Sequence, residues 1–289
     1  GDEVRETVAA IIDEVAKRGN KALIDYATKF DKVTLKPREL FVSEEEFAEA
    51  KKAVAPSTKR AVRASLRNIT EFAKRSLRKD WSYRNAEGAR VGERFTPFDR
   101  VGVYVPGGKA PLVSTALMTA GFAKAAKVPE VLGATPCGPD GKVNPELLYA
   151  LHAAGVSEVI KVGGAQGVAA MALGTTTIRP VDRIFGPGNR FVVEAKRQLV
   201  GAVSIDLLPG PSEVLVLSDK SGNPDFIAAD LLAQAEHGGD SVIGFVTDSK
   251  ALVTKVEKAI ARQLKQLSRA DYIAEVLKKG AFVVVVKDF

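Results

Sequence analysis

The sequence has 289 residues, of which 46% are hydrophobic and 7% aromatic, and it carries a formal net charge of +7. This length allows a sizeable buried core and two domains of ordinary size. The single cysteine excludes an intrachain disulfide and a metal site built from cysteines. The uncharged stretches 110–123 and 162–178 are too short, or too rich in Gly, Gln and Thr, to cross a bilayer, and no signal peptide opens the chain. We therefore expect a cytoplasmic protein without a membrane partner.

The basic residues gather in the segment 51–79, where they alternate with apolar residues at helical spacing, namely Val62, Leu66, Ile69 and Phe72. Proteins that bind single-stranded nucleic acid place aromatic side chains between their basic ones. That pattern is missing here. The segment therefore predicts a solvated helix face and no nucleic-acid partner.

Residues 3–79 have the pattern of helices. Ser43-Glu-Glu-Glu resembles a capping box that opens one of them. An apolar face recurs in the first helix, at Val4, Val8, Ile11, Ile12 and Val15. The first part of the chain is therefore predicted to be a helical region.

From Val101 onward, short β-branched runs alternate with helical patterns. The predicted strands are residues 101–105, 130–134, 158–162, 183–185, 203–205, 214–217, 242–246 and 282–286. Such alternation favours parallel sheets built from βαβ units. The sequence therefore predicts an α/β fold.

Glycine-rich turns follow three of these strands, at 106–108, 163–164 and 186–188. Glycine allows the backbone to approach a ligand closely, and the helix that follows presents free N–H groups to a phosphate. Ordinary tight turns would have the same sequence. A Gly-x-Gly-x-x-Gly motif is absent, because Gly186-Pro-Gly-Asn-Arg-Phe lacks the third glycine, so the motif of a standard dinucleotide site is not met.

Gln234 and His237 are three positions apart in a segment of helical period, so both side chains can reach a common ion. They make half of a metal site, because zinc needs at least three protein ligands. The alternative is a buried histidine, satisfied near the end of a helix just before Gly238 and Gly239. Spacing alone leaves both interpretations open.

Several motifs in this order closely resemble histidinol dehydrogenases, with the densest similarity over residues 95–289. The motifs are Arg100-Val-Gly-Val-Tyr-Val-Pro-Gly-Gly, Val162-Gly-Gly-Ala-Gln-Gly, Ile184-Phe-Gly-Pro-Gly-Asn, Ala195-Lys-Arg-Gln, Leu208-Pro-Gly-Pro-Ser-Glu-Val and Gln234-Ala-Glu-His-Gly. The resemblance implies two related, incomplete Rossmann-like parallel-sheet lobes, one inserted in the other. We expect residues 1–101 to supply the helical region and the start of lobe 1, 102–212 to form the NAD-binding lobe 2, and 213–289 to return to lobe 1.

The resemblance also implies site residues. Tyr104, Gln166 and Asn189 match positions that contact NAD in the family. Gln234 and His237 match two zinc ligands that also face the substrate. Ser212 matches a substrate-contacting serine, although it could simply end a loop.

Family members continue well beyond the position of Phe289, and that part holds a catalytic glutamate–histidine pair with the remaining aspartate and histidine zinc ligands. We therefore expect no catalytic acid or base in this chain, and a fragment or an incompletely ordered protein. His152 is expected to be a surface or packing residue. Cys137 could act as a nucleophile on an aldehyde, but no histidine lies near it in sequence to generate a thiolate.

The function implied for the complete protein is the oxidation of a small-molecule substrate, L-histidinol, through L-histidinal to L-histidine, with zinc and two NAD. Family members are intertwined homodimers with shared active sites. One alternative is a relative that oxidises another small alcohol, such as a sulfonated diol. The other is a non-catalytic NAD-binding fragment.

Overall fold

The structure is a computed structural model that describes residues 2–107, 112–209, 212–238 and 241–289. Gly108 of the first predicted glycine turn, and Gly239 after His237, lie outside these residues. The chain divides into two compact units, Gly1–Pro209 and Gly210–Phe289. Both are built from helices and parallel strands, so the predicted α/β fold is confirmed. Within the described ranges, no helix is both long enough and apolar enough to cross a membrane.

The first unit opens with a helical region, as the sequence predicted, and four α-helices form it. They are α1 (Asp2–Arg18), α2 (Asn20–Tyr26), α3 (Glu44–Ala53) and α4 (Pro56–Ser76). The capping box forms at α3, because Glu46 N donates to the Ser43 hydroxyl at 3.3 Å and Ser43 N donates to the Glu46 carboxylate at 2.9 Å. A turn of π-helix, Ala27–Asp31, follows α2 and ends at Lys32 in the left-handed conformation.

An antiparallel hairpin follows these helices, and sequence analysis did not predict it. Its strands are β1 (Trp81–Arg84) and β2 (Arg90–Glu93), and every residue of both is exposed. A strand with one buried face alternates apolar and polar residues, and a hairpin without a buried face has no such pattern.

A five-stranded parallel sheet forms the centre of the first unit. Its strands are β3 (Arg100–Tyr104), β4 (Glu130–Ala134), β5 (Glu158–Ile160), β6 (Arg183–Phe185) and β7 (Ser204–Ile205). They lie in the order β5-β4-β3-β6-β7. This is the order of the first five strands of a doubly wound dinucleotide-binding sheet, so the Rossmann-like expectation holds for this unit.

Helices cover both faces of this sheet. Four of them connect its strands: α5 (Val113–Ala125), α6 (Pro145–Ala153), α7 (Gly164–Leu173) and α8 (Arg190–Gln198). The N-terminal helices pack outside these, with α1 on α7 and α8, α3 on α6, and α4 on α5. The β-branched runs supply the core, and Val103, Leu132, Ile160 and Ile184 are fully buried.

The second unit is a three-stranded parallel sheet with helices. In chain order its elements are β8 (Glu213–Leu217), α9 (Pro224–Ala235), β9 (Val242–Thr247), α10 (Lys250–Leu264), α11 (Ala270–Gly280) and β10 (Ala281–Val285). The strand order is β10-β9-β8. Its core includes Ile243 and Phe245 on the central strand and Leu231, Leu252 and Ile273 on the helices.

The boundary between the two units falls at residue 209, close to the predicted lobe boundary at 212. The helical region was expected to join the residues from 213 on. Its helices pack on α5, α6, α7 and α8 of the first unit. The union of the helical region with residues 213–289 and the insertion of one lobe in the other stay predictions.

Candidate functional site

The loops at the carboxyl ends of β3, β4, β5 and β6 enclose a cavity of about 830 Å³ in the first unit, which we call the edge pocket. Its wall includes Asp31, Tyr104, Thr135, Gln166 and Asn189. Cofactor and small-molecule sites have volumes of roughly 300–1,000 Å³. In open parallel sheets, ligands bind in the crevice at the carboxyl ends, where the strand order reverses, and here it reverses between β3 and β6. The edge pocket is therefore the candidate binding site of this unit.

The structure brings together the three residues expected to contact NAD. Tyr104 ends β3, Gln166 lies in the first turn of α7, and Asn189 precedes α8. All three line the edge pocket, although up to 85 positions separate them in sequence. Helices α7 and α8 both begin at this pocket, and the partial positive charge of a helix N-terminus favours an anionic ligand.

Among the described residues, the Tyr104 hydroxyl has one hydrogen-bond partner. Its oxygen accepts a hydrogen bond from Gly164 N at 2.9 Å. Burial raises the pKa of Tyr104 to about 12, with a smaller contribution from the negative charge of Asp31. The side chain is therefore a neutral phenol near neutral pH, and its hydroxyl hydrogen can be donated to a ligand oxygen.

Gly164 links Tyr104 to Gln166. Its φ of +64° lies in the left-handed region, and a Cβ atom there would come within 2.7 Å of the Gln166 side-chain oxygen. Only 2% of Gln166 is exposed. Glycine is therefore required at this turn both for the backbone conformation and for the position of the Gln166 amide.

Asn189 has a structural role that the sequence analysis did not assign. Its side-chain oxygen accepts hydrogen bonds from Phe191 N at 3.0 Å and Val192 N at 3.2 Å, so it is the N-cap of α8. Asparagine is among the most favourable N-cap residues. The cap uses the amide oxygen and leaves the NH₂ group available to a ligand.

The turn before Asn189 is fixed by a buried ion pair that sequence reasoning missed. Lys196 is fully buried on α8 and contacts the Asp206 carboxylate. It also donates to Gly186 O at 3.0 Å, while Gly186 N donates to Asp206 at 2.8 Å. One signal was present in the sequence, because Lys196 lies four residues after Val192 on the apolar face of an amphipathic helix.

Cys137 also lines the edge pocket and is buried. Burial raises the pKa of its thiol to about 11, and the negative charge of Asp31 adds to this effect. A nucleophilic cysteine needs a lowered pKa. These surroundings therefore favour an inert thiol over a nucleophile.

His152 is an exposed residue of α6. Its ring lies against that of Phe47, with 5.3 Å between the ring centroids. This agrees with the expected surface or packing role.

In the second unit, Ser212, Gln234 and Ser241 are joined by hydrogen bonds. The Gln234 NH₂ group donates to Ser212 O and to the Ser241 hydroxyl, each at 3.2 Å. Gln234 lies in the last turn of α9, and His237 follows the end of that helix. His237 is exposed, so the alternative of a buried histidine is wrong.

No hydrogen bond within the described part of the chain uses the oxygen of the Gln234 amide, and an amide oxygen can bind zinc. Within residues 2–107, 112–209, 212–238 and 241–289, no three His, Cys, Asp or Glu side chains are grouped so that they could hold a metal ion. Gln234 and His237 therefore remain half of a candidate metal site.

Comparison with known proteins places this geometry in a family. A family model described as histidinol dehydrogenase matches residues 1–289. Two relatives named histidinol dehydrogenase are 45% identical (Rhizobium meliloti) and 44% identical (Brucella suis) over 288 residues. The chain belongs to the histidinol dehydrogenase family. These alignments cover 100% of this chain and 66% and 67% of the two relatives, so the chain spans about two thirds of their length.

A solved structure supports the same membership. The crystal structure of histidinol dehydrogenase from Elizabethkingia anophelis matches with a TM-score of 0.92 and 35% sequence identity. The match covers 99% of this chain and 65% of that one. The fold described above is therefore a fold of this family.

Proposed function

We propose that the complete protein is an NAD-dependent oxidoreductase that converts L-histidinol through L-histidinal to L-histidine, and that this chain supplies its cofactor site. The observation that carries the proposal is the convergence of Tyr104, Gln166 and Asn189 on the edge pocket. A phenol donor, two amides and two helix N-termini suit the hydroxyl and pyrophosphate groups of a dinucleotide. Membership of the histidinol dehydrogenase family supports the proposed reaction.

For the metal we propose the Gln234 oxygen and the His237 imidazole as two zinc ligands, with Ser212 beside the substrate. The hydrogen bonds of the Gln234 NH₂ group to Ser212 and Ser241 support this assignment, because they orient the amide oxygen. When bound, zinc would polarise and orient the substrate amine and imidazole. A tight zinc site needs at least one further ligand.

Two alternatives remain. A family relative could oxidise another small alcohol, such as a sulfonated diol, through the same pocket and metal ligands. The chain by itself could also be a non-catalytic NAD-binding protein. The number of metal ligands favours the second alternative. Among the described residues only Gln234 and His237 are candidate ligands, and a zinc site needs at least three.

We also propose that the protein is a homodimer with shared active sites. The β1–β2 hairpin supports this, because a two-stranded hairpin is marginally stable alone and both of its strands are exposed. Trp81 and Tyr83 stack on each other there, with their ring centroids 6.2 Å apart, and would gain from burial against a second copy. Light scattering should give twice the mass of one chain. A stable monomer of the complete protein would refute this part.

The proposed function is tested by measuring NAD binding, zinc content and NADH production on the 289-residue chain beside the complete gene product. Both should bind NAD. The complete protein should hold zinc and oxidise histidinol, and His237→Ala in it should remove the metal and abolish turnover. Stoichiometric zinc with steady turnover in the 289-residue chain would show that its site is built from other residues. Turnover of a sulfonated diol but not of histidinol would favour the first alternative.

A further inference from the structure

Asp31 is a carboxylate in the wall of the edge pocket that has no assigned role. It ends the π-helical turn Ala27–Asp31, where the backbone turns at Lys32 with a φ of +58°. Single turns of π-helix occur frequently at functional sites. The residue comes from the N-terminal helices, 73 positions before Tyr104, so no cofactor motif of the sheet includes it.

One oxygen of Asp31, Oδ2, is buried and has no hydrogen-bond partner among the described residues. A buried acceptor without a donor costs about 1–3 kcal/mol. Few such atoms occur in native proteins, and each needs an explanation. At the wall of a pocket, the simplest explanation is a donor that arrives with the ligand.

No ion pair among the described residues includes Asp31. Burial raises the pKa of its carboxyl group. Its charge in turn raises the pKa of Tyr104 and Cys137, which places both groups within its electrostatic reach. Lys142, a cation that also lines the pocket, pairs with Glu49 at 3.2 Å. Among the described residues, the Asp31 carboxyl group therefore lies in the pocket wall without a cation paired to it.

A second unsatisfied group lies in the same wall. Thr135 directly follows β4, is 1% exposed, and its hydroxyl has no hydrogen-bond partner among the described residues. A hydroxyl can donate as well as accept. Asp31 and Thr135 thus provide two independent indications that a polar ligand completes this pocket.

We propose that Asp31 accepts hydrogen bonds from the ribose hydroxyls of the adenosine half of NAD, and that its charge excludes the 2′-phosphate of NADP. This assignment rests on the proposed function. An ionised carboxylate only accepts hydrogen bonds, so it suits a vicinal diol and repels a phosphate. Standard dinucleotide folds use an acidic residue on the ribose in the same way, but there it follows the glycine motif by about 20 residues. Here the acid would come from a different part of the chain.

The test is calorimetric titration of the wild-type chain, Asp31→Asn and the control Asp13→Asn with three dinucleotides. These are NAD, NADP and the NAD analogue that carries hypoxanthine in place of adenine. Asp13 is exposed and pairs with Lys17, away from the pocket wall, so its variant should bind like the wild type. Asp31→Asn keeps the size of the side chain and removes its charge. It should fold, because a neutral amide is less costly to bury than an unpaired carboxylate.

We expect the wild type to bind NADP at least about tenfold more weakly than NAD, which corresponds to about 1.4 kcal/mol. Asp31→Asn should weaken NAD binding by about fivefold, which corresponds to the loss of one hydrogen bond. The affinity of this variant for NADP should be close to its affinity for NAD. The hypoxanthine analogue should lose affinity as NAD does, because it retains the ribose diol. A variant that loses only the preference for adenine would show that Asp31 binds the adenine amino group and would overturn the proposal.

Two further outcomes separate this inference from the proposed function. Equal affinity of the wild type for NAD and NADP, or unchanged binding in Asp31→Asn, would overturn the role of Asp31 and leave the NAD site intact. The first of these comparisons needs no variant, so it holds even if Asp31→Asn fails to fold. A wild-type chain that binds none of the three dinucleotides would instead refute the cofactor site itself.

Discussion

Lys196 and Asp206 together bind both polar backbone groups of Gly186. The Lys196 ammonium donates to the Gly186 carbonyl at 3.0 Å, and the Asp206 carboxylate accepts from the Gly186 amide at 2.8 Å. The two side chains also contact each other, and Lys196 is fully buried. Gly186 itself has a φ of +119°. This pair therefore fixes the turn that leads into Asn189 and the edge pocket.

Lys196→Met should destabilise the protein and weaken NAD binding. The substitution leaves the largely buried Asp206 carboxylate without its cation, and breaking a buried ion pair in this way costs about 3 kcal/mol. Urea unfolding measures the loss of stability. Calorimetry at low temperature, where the variant is folded, should show weaker NAD binding because the Gly186 turn is no longer held.

The matched control is Arg197→Met, on the next residue of the same helix. Arg197 is half exposed and pairs with Glu194 within one turn. Exposed pairs of this kind contribute about 0–1 kcal/mol. Equal effects of the two substitutions on NAD binding would contradict a specific role of Lys196 in the turn.

Asn189→Ala and Asn189→Ser should differ in stability but agree in cofactor binding. Alanine removes the N-cap of α8, at a cost of about 1 kcal/mol, whereas serine retains a capping oxygen. Both substitutions remove the NH₂ group, and the loss of its contact with the ligand should weaken NAD binding by about 1 kcal/mol. Thermal unfolding and calorimetry separate the two effects.

Gln166→Ala should weaken NAD binding by about 1 kcal/mol, as the Asn189 variants do, without affecting a helix cap. Unchanged NAD affinity in Gln166→Ala and Asn189→Ser would contradict the cofactor assignment. Weaker binding in Asn189→Ala alone would instead show that the helix cap, rather than the amide, matters for the ligand.

Much of this fold could be predicted from the sequence, because its elements depend on local patterns. The β-branched runs predicted every strand of both parallel sheets, and the run at Glu130–Ala134 matches β4 residue for residue. The capping box at Ser43 was also predicted from a short motif within a few residues of the chain. The β1–β2 hairpin was missed because its exposed strands carry no pattern of burial.

Less of the candidate site than of the fold could be predicted from the sequence. Tyr104, Gln166 and Asn189 could be named only through the family resemblance, since an isolated tyrosine or amide has no cofactor signature. The contacts of Asp31 and Lys196 depend on the tertiary structure, and the spacing of residues in the sequence does not predict such contacts. The exposure of His237 was likewise undetermined, because it depends on where α9 ends.

Arg100→Met should lower the stability without changing NAD affinity. Arg100 is buried at the start of β3 and contacts the first residues of the two next strands, Glu130 and Glu158, each at 2.6 Å. These contacts lie at the amino edge of the sheet, opposite the edge pocket. We expect the melting temperature to fall by roughly 5 °C. The control Arg179→Met removes an exposed partner of the same Glu130 and should have a smaller effect.

The loss of stability caused by Arg100→Met should depend on pH. Hydrogen bonds from Arg100 and then Arg179 lower the pKa of Glu130 in the folded protein. A carboxylate with a lowered pKa stabilises the fold above its unfolded pKa of about 4.3, and this stabilisation is lost as the pH falls through the folded value. The difference between wild type and Arg100→Met should therefore shrink below about pH 4. A constant difference down to pH 2 would show that packing, and not charge, is responsible.

Cys137 should react slowly with iodoacetamide in the folded protein. Burial, followed by the charge of Asp31, raises its pKa to about 11. At pH 8, roughly one thiol in a thousand is then ionised, and the thiolate is the reactive form. Since this is the only cysteine of the chain, mass spectrometry follows its alkylation directly. The rate should rise about tenfold for each pH unit between 7 and 10.

The chain unfolded in urea is the reference, because its thiol has a pKa of about 8.5 and should react at least about 100-fold faster at pH 8. Saturating NAD should slow the folded reaction further, since Cys137 lines the same pocket as Tyr104 and Gln166. Rapid alkylation of the folded protein at pH 7, with no dependence on pH, would mean that the thiol is already ionised. Such a result would restore Cys137 as a candidate nucleophile toward an aldehyde.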